Sequence, residues 1–228
     1  MTASAADVTK RFTLRLASLI EYHEELLVAV QGKRRQVALE KMLAEQFAFN
    51  IVVLLEGFLS DVLMAYLSTS PQRYSQILKE RLTASIKERY GAAASGLVSF
   101  KFPREISANT LRKLIDPKQF NLTFPSAEKL SARANELLEA QYARLFTLDA
   151  VDAEFLNFTI ALRNFLAHRS KSSRATLSQT VSQLSSGNLT FSPLERDIGA
   201  YLRVRNSGDV CRSVEIASRI KGIAARFA

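Results

Sequence analysis

Cysteine and histidine are scarce in this chain of 228 residues, and their scarcity excludes several kinds of site. Cys211 is the only cysteine, so the chain cannot close an internal disulfide, and this usage is the one expected of a protein of the reducing cytoplasm. One cysteine and two histidines far apart in sequence provide no ligand spacing for zinc. We therefore expect a cytoplasmic protein without a metal site.

Glycine is also scarce, and the glycines do not form the phosphate-binding patterns of nucleotide enzymes. No glycine-rich dinucleotide fingerprint is present, and the stretch 91–96 is followed by Leu97 and Val98 where a P-loop needs lysine and serine or threonine. The Gly-x-Ser-x-Gly and His-Glu-x-x-His motifs of hydrolases and metalloproteases are missing too. These absences predict a protein that uses no cofactor.

Basic residues exceed acidic ones, which gives a net charge of +9 and a pI near 9.8. This balance favours a polyanionic partner, with nucleic acid first and an anionic membrane surface second. The apolar run 47–67 is long enough to span a membrane, but it contains Asn50, Glu56 and Asp61. Charged residues at that depth are costly, so we interpret the run as a buried core helix and expect no membrane partner.

Apolar periodicity and helix-capping residues predict an all-α protein. We expect one domain over residues 1–228, built as an up-and-down helical bundle with additional helices and a long connecting loop between 99 and 125. The predicted core helices are 4–30, 34–68, 127–146 and 149–168, and residues 172–228 are predicted to form a helical C-terminal extension.

The stretch 149–170 holds the arrangement with the clearest chemical use. Its apolar residues recur at steps of four and three and build one stripe, made of Val151, Phe155, Phe158, Leu162 and Phe165. A second apolar strip with Leu156, Ile160 and Ala167 lies on the opposite side. A helix buried on two sides needs two packing partners, so a second subunit or a substrate is expected on the side that carries Arg163.

Three polar residues meet near the end of this motif helix. Asn164 and His168 are four residues apart, so their side chains are neighbours on one helix surface. Arg163 is offset by about 140° from His168 on an ideal helix, and we expect the helix to fray after His168 so that the arginine can reach it. Arginine binds phosphate oxygens bidentately, and histidine can move the proton of a 2′-hydroxyl group.

The basic segment that follows is expected to contribute RNA contacts through Arg169, Lys171 and Arg174. A further hypothesis concerns Glu56, which lies in the apolar wall of the second helix and needs a partner if it is buried. Arg163 is one candidate, and the contact would orient it. The alternative is a glutamate at the solvent edge beside Gly57.

These residues resemble a known family. The run Arg163 to His168, RNFLAH, matches the Arg-polar-X(3–5)-His signature of HEPN-domain ribonucleases, and LLEGFL at 54–59 resembles the corresponding segment of the RiboL-PSP-like branch. The resemblance covers about residues 38–68 and 149–170. It implies an all-α domain that forms a homodimer, with both motifs lining a shared cleft. It also implies metal-independent RNA cleavage, often in toxin–antitoxin or anti-phage defence systems, with an antitoxin or other defence protein as a partner.

The same resemblance implies roles for the motif residues. His168 would act as general base or acid, Arg163 would stabilise the transition state, and Asn164 would hold the phosphate or the histidine. Two other readings stay open. One is a HEPN-like module without catalysis, used for dimerisation or for binding RNA or a nucleotide. The other is structural, with His168 stabilising a helix C-terminus and Arg163 pairing with a buried carboxylate.

Overall fold

The computed structural model describes residues 3–102, 106–116, 122–186, 197–205 and 210–228. The protein is an all-α helical bundle: 81% of the described residues are helical, and the described ranges contain no strand beyond an isolated bridge between Arg205 and Cys211. In chain order, the helices are α1 (Ala5–Ala29), α2 (Gln36–Thr69), α3 (Gln72–Leu97), α4 (Ala108–Ile115), α5 (Ala127–Leu137), α6 (Ala140–Ala143), α7 (Ala150–His168), α8 (Lys171–Ser186), α9 (Ile198–Arg203) and α10 (Arg212–Ala225).

Helices α1 and α2 form an antiparallel pair. A capping box starts α1, in which Ser4 accepts from the backbone N–H of Asp7 and the Asp7 carboxylate accepts from that of Ser4. The Phe12 and Phe58 rings lie 4.4 Å apart between centroids, and those of His23 and Phe47 lie 4.3 Å apart. The residue number rises along α1 as it falls along α2, so the helices run in opposite directions.

Helix α2 is the centre of the bundle, as its sequence predicts. Within the described chain it is the one helix whose length and apolar composition would suffice to cross a membrane, and 61% of its most apolar stretch is buried. It packs against α1, α4, α7, α9 and α10. A helix that is apolar around most of its circumference must be enclosed by neighbours, and here other helices enclose it.

The C-terminal helices belong to this same core, although the sequence predicts an extension. Ile216 and Ile220 of α10 are fully buried, and Phe227 packs between Phe58 and Phe146, with ring centroids 5.8 and 4.8 Å away. The Tyr66 hydroxyl donates to the carbonyl of Phe227 at 3.1 Å. The apolar face of α10 therefore completes the wall around α2. Residues 187–196 and 206–209 of the predicted C-terminal extension lie outside the described ranges.

The helix predicted over 127–146 is broken. Helix α5 ends at Leu137, and α6 and a 3₁₀ turn over Arg144–Phe146 follow after an extended residue, Leu138. The break has a tertiary cause, because the guanidinium of Arg73 donates to the carbonyls of Asn135 and Glu136 at 2.8 and 3.3 Å. Those carbonyls would otherwise lack partners at a helix end.

The predicted connecting region between 99 and 125 contains α4, which begins where Ser107 accepts from the backbone N–H of Thr110 at 3.1 Å. Residues 103–105 and 117–121 of this region lie outside the described ranges. Before this region, α3 kinks at Gly91, whose φ of 85° is readily adopted only by glycine.

Candidate active site at the end of helix α7

Helix α7 holds the motif residues in place through capping and burial. It begins where the Asp149 side chain accepts from the backbone N–H of Asp152 at 2.8 Å. The predicted stripe is buried at Phe155, Phe158, Leu162 and Phe165, whereas Val151 is 39% exposed because it lies in the first turn. On the second strip Leu156 and Ile160 are buried and Ala167 is exposed. Near the motif, the exposed part of α7 thus begins at Ala167.

Arg163 is held between two partners. Its Nη1 donates to Asn164 Oδ1 at 2.9 Å, and its Nη2 lies 3.2 Å from Glu56 Oε2. The side chain of Arg163 is 31% exposed and that of Glu56 is 18% exposed. The expected contact between Glu56 and Arg163 is therefore present, and it joins the second helix to the motif helix at a half-buried position.

The environment of Glu56 affects its charge. Burial raises the pKa of Glu56, and the neighbouring Arg163 guanidinium opposes this effect by favouring the carboxylate. The pair keeps Arg163 at a fixed place, but two of its five N–H donors are then in use. The remaining donors include a buried Nε that has no acceptor among the described residues.

His168 is the last residue of α7, and its side chain is exposed to solvent. Among the residues the structure describes, it makes no hydrogen bond or ion pair. The structure thus joins Arg163 to Asn164 directly, and it leaves His168 one turn further along the same surface, free to meet a ligand.

The helix does not fray after His168, contrary to the sequence-based expectation. Arg169 takes a left-handed conformation, with φ 51° and ψ 23°, and its N–H donates to the carbonyl of Phe165 at 2.8 Å. Ser170 then caps the next helix, because its Oγ accepts from the N–H of Ser173 at 3.1 Å. Helix α8 consequently starts beside the motif. Within the segment 169–174, Arg169 and Ser170 form a tight turn, and the residues from Lys171 onward are helical.

The three predicted RNA-binding residues differ in their surroundings. Arg169 forms an ion pair with Glu45 and lies over the Phe165 ring at 5.3 Å. Arg174 lies over the same ring at 5.9 Å, and Lys171 is exposed. All three are close to His168 in sequence, but Arg169 is engaged by a carboxylate.

Glu45 is a site neighbour that the sequence analysis missed. It lies eleven residues before Glu56, which is about three turns of an ideal helix, so both glutamates occupy one face of α2. Each pairs with an arginine near the end of α7. The spacing of these two acidic residues along an apolar helix is the signal that would have identified Glu45.

An exposed apolar strip lies beside the motif. We define the α2–α7 strip as Met42 and Phe49 of α2 with Leu166 and Ala167 of α7. Met42 is 66% exposed. The strip lines a shallow depression together with Glu45 and Arg169. Exposed apolar side chains next to a polar motif are typical of a surface that binds a protein partner.

The described residues contain no group of three or more histidine, cysteine, aspartate or glutamate side chains that could hold a metal ion. No family model, curated protein or solved structure matches the chain. The assignment of this candidate site therefore rests on its geometry and on the short motifs of the sequence.

Proposed function

We propose that the protein is a metal-independent endoribonuclease of the HEPN type that works in the cytoplasm as a toxin or anti-phage defence effector. The observation that supports this proposal best is the Arg163–Asn164 hydrogen bond, with His168 exposed one turn further on α7. Asn164 contacts Arg163 and is four residues before His168, so it lies between an anchored cation and a solvent-accessible imidazole. Cleavage by 2′-hydroxyl attack uses both of these groups.

In this mechanism His168 removes the proton of the 2′-hydroxyl group, or returns a proton to the departing 5′-oxygen. Arg163 stabilises the negative charge that builds up on the phosphorane-like transition state, and Asn164 holds the guanidinium. The 2′-oxygen bonds to phosphorus as the bond to the 5′-oxygen breaks. The products are a 2′,3′-cyclic phosphate and a 5′-hydroxyl group.

We further propose that two copies associate through the α2–α7 strip, so that both motifs face one cleft. The exposed Met42 would be covered by the partner copy. Replacing Met42 with glutamate should convert a dimer into a monomer in size-exclusion chromatography with light scattering. Tyr90→Glu on α3, where Tyr90 is 67% exposed, is the matched control that should leave the dimer intact.

The direct test incubates purified protein with total RNA in EDTA, beside a His168→Ala variant. Cleavage by the wild type alone, with cyclic phosphate ends, supports the proposal. A 5′-phosphate product, or activity that EDTA abolishes, would contradict it. Cleavage that survives in the variant would show that His168 is not the catalytic base.

A second candidate is a HEPN-like module without catalysis, which dimerises or binds RNA or a nucleotide through the same surface. The observation that favours it is that Glu56 and Asn164 already engage Arg163. An arginine paired with a half-buried carboxylate is also a common structural element. RNA binding without cleavage over hours would favour this candidate.

A further inference from the structure

We propose that helix α1 carries a second RNA-binding site, in which Arg11 and Arg15 bind phosphates of the strand that flanks the cleaved bond. The choice of RNA as the ligand rests on the proposed function. The site itself rests on three features of the structure: a groove, two exposed arginines that make no hydrogen bond or ion pair with the described residues, and its position next to Glu56 and Arg163.

The groove runs between α1 and α2. Arg11 and Arg15 are one helical turn apart on α1, and both line it. The other lining residues are mainly apolar and come from both helices, namely Val8, Phe12, Val53, Leu54, Gly57, Phe58 and Asp61. Two arginines at the rim of an apolar groove provide charge for a phosphate backbone and a surface for the sugars and bases.

The charges of the groove are unbalanced. Neither Arg11 nor Arg15 makes an ion pair or hydrogen bond with any residue that the structure describes, and both are exposed. Asp7, one turn before Arg11 and outside the groove lining, attracts Arg11 electrostatically, but its carboxylate accepts hydrogen bonds from Ser4. Asp61 is the only acidic lining residue, and it already accepts from Arg112 at 2.7 Å. By contrast, Arg163 and Arg169 near the motif have carboxylate partners. The α1 arginines therefore keep their full donor capacity for an anionic ligand.

An exposed tyrosine extends the same surface of α1. Arg11, Arg15, Ser18 and Tyr22 follow one another at steps of four, three and four, so they lie within about 60° of one helix face at 100° per residue. Tyr22 is 58% exposed. Aromatic rings stack on unpaired bases irrespective of sequence, so the face suits single-stranded RNA better than a duplex.

One turn of α2 connects this groove to the motif. Glu56 contacts Arg163 on one side, while Val53, Leu54 and Gly57 line the groove on the other. An α-helix with its side chains is about 10–12 Å across, so a strand crossing α2 could reach both sites. Gly57 is exposed, and a Cβ built there would meet no described atom within 4 Å. Because Gly57 has no side chain, it does not obstruct an RNA strand that crosses α2 at this position.

The test measures RNA binding separately from cleavage. In a His168→Ala background, fluorescence anisotropy with a short unstructured oligoribonucleotide would follow the Kd of R11Q/R15Q across a range of KCl concentrations. The matched control is R34Q/R35Q, which removes two exposed arginines from the turn before α2 with the same change of net charge. Circular dichroism melting would check that both double variants fold.

We expect R11Q/R15Q to weaken binding by roughly tenfold or more, and R34Q/R35Q by less than about twofold. The slope of log Kd against log salt should fall by about 1.4 for R11Q/R15Q, because each phosphate contact on a single strand contributes about 0.7. Tyr22→Ala should weaken binding by about tenfold through lost stacking, and Tyr90→Ala should not. Equal losses in the two double variants, or no loss in either, would overturn the inference.

Cleavage of total RNA by the protein with its native His168 distinguishes this inference from the proposed function. If that protein leaves RNA intact while binding still depends on Arg11 and Arg15, the proposed catalysis fails and the α1 site stands. If it cleaves RNA, and R11Q/R15Q changes neither the Kd nor the KM, the α1 site fails and the ribonuclease stands.

Discussion

The two histidines of this protein occupy opposite environments. His23 is 3% exposed, stacks on Phe47 with an angle of 5° between the rings, and is surrounded by the interface of α1 and α2. His168 is exposed at the end of α7, one turn after Asn164, the amide that contacts Arg163. Burial lowers the pKa of His23 to about 4, so this ring is neutral across the physiological range.

The comparison shows what separates a packing histidine from a candidate catalytic one. His23 has a buried Nε2 with no partner among the described residues, and a ligand has no access to it. His168 has access but no fixed partner of its own. The imidazole of His23 acts as an aromatic ring in the core, whereas that of His168 is accessible to a ligand.

The substitution with the largest expected effect on activity is His168→Ala. We expect the rate of RNA cleavage to fall by about 100- to 10,000-fold, which is the usual contribution of general acid–base catalysis. The free energy of unfolding should change by less than about 0.5 kcal/mol, since the side chain is exposed. Single-turnover cleavage assays and urea unfolding would measure the two effects. A cleavage rate that stays near the wild-type value would remove His168 from the site.

The second prediction concerns acid stability and His23. The pKa of His23 is 6.5 in the unfolded chain and about 4 in the folded protein. The unfolded chain therefore takes up a proton first as the pH falls. The contribution of neutral His23 to the free energy of unfolding is fully present above about pH 7 and is lost as the pH falls towards 4. The loss should approach about 3 kcal/mol near pH 4, at about 1.4 kcal/mol per pH unit.

Urea unfolding of the wild type and His23→Leu at several pH values would test this prediction. The leucine variant cannot bind the proton, so the stability difference between the two proteins should shift in favour of the variant as the pH falls. A difference that is constant with pH would show that His23 titrates normally in the folded state.

A third prediction extends the comparison to the two glutamates of α2. Glu56→Gln should lower the cleavage rate about tenfold, which is about 1.4 kcal/mol of transition-state stabilisation, because Arg163 loses its charged anchor. Glu45→Gln, the matched control, removes the partner of the more exposed Arg169 and should change the rate by less than about twofold. Equal effects would show that Glu56 has no special role in positioning Arg163.

The smallest expected effect is that of Ser170→Ala. The variant loses the cap of α8, which typically costs about 1 kcal/mol of stability, while the motif residues stay on α7. Thermal melting should detect the change, and the cleavage rate should match the wild type. A large loss of cleavage would show that the turn after His168 is part of the site.

The sequence predicts the all-α class, the core position of α2 and the limits of α7, because each depends on local signals. The apolar residues of α2 cover most of its circumference, and Asp149 is a strong N-cap before a periodic stripe. The contact between Glu56 and Arg163 is also among the sequence-based expectations, since a carboxylate in an apolar wall needs a partner.

Other features depend on contacts between distant segments. No glycine or proline marks the break after Leu137, and the helix ends there because Arg73 binds its last carbonyls and Ser70 donates to Glu139 at 2.5 Å. Arg169 adopts its left-handed conformation without the glycine that usually indicates such a turn in a sequence. Likewise, the burial of His23 follows from its meeting with Phe47.

The enclosure of α2 has a consequence for the folding of the chain after synthesis. Helices from the beginning, middle and end of the sequence all pack against this apolar helix. Until all of them have docked, a surface with the length and hydropathy of a bilayer-crossing segment is open to chaperones, proteases and lipid. We therefore expect folding to be all-or-none, and fragments that lack α1 or α10 to aggregate rather than persist as smaller domains.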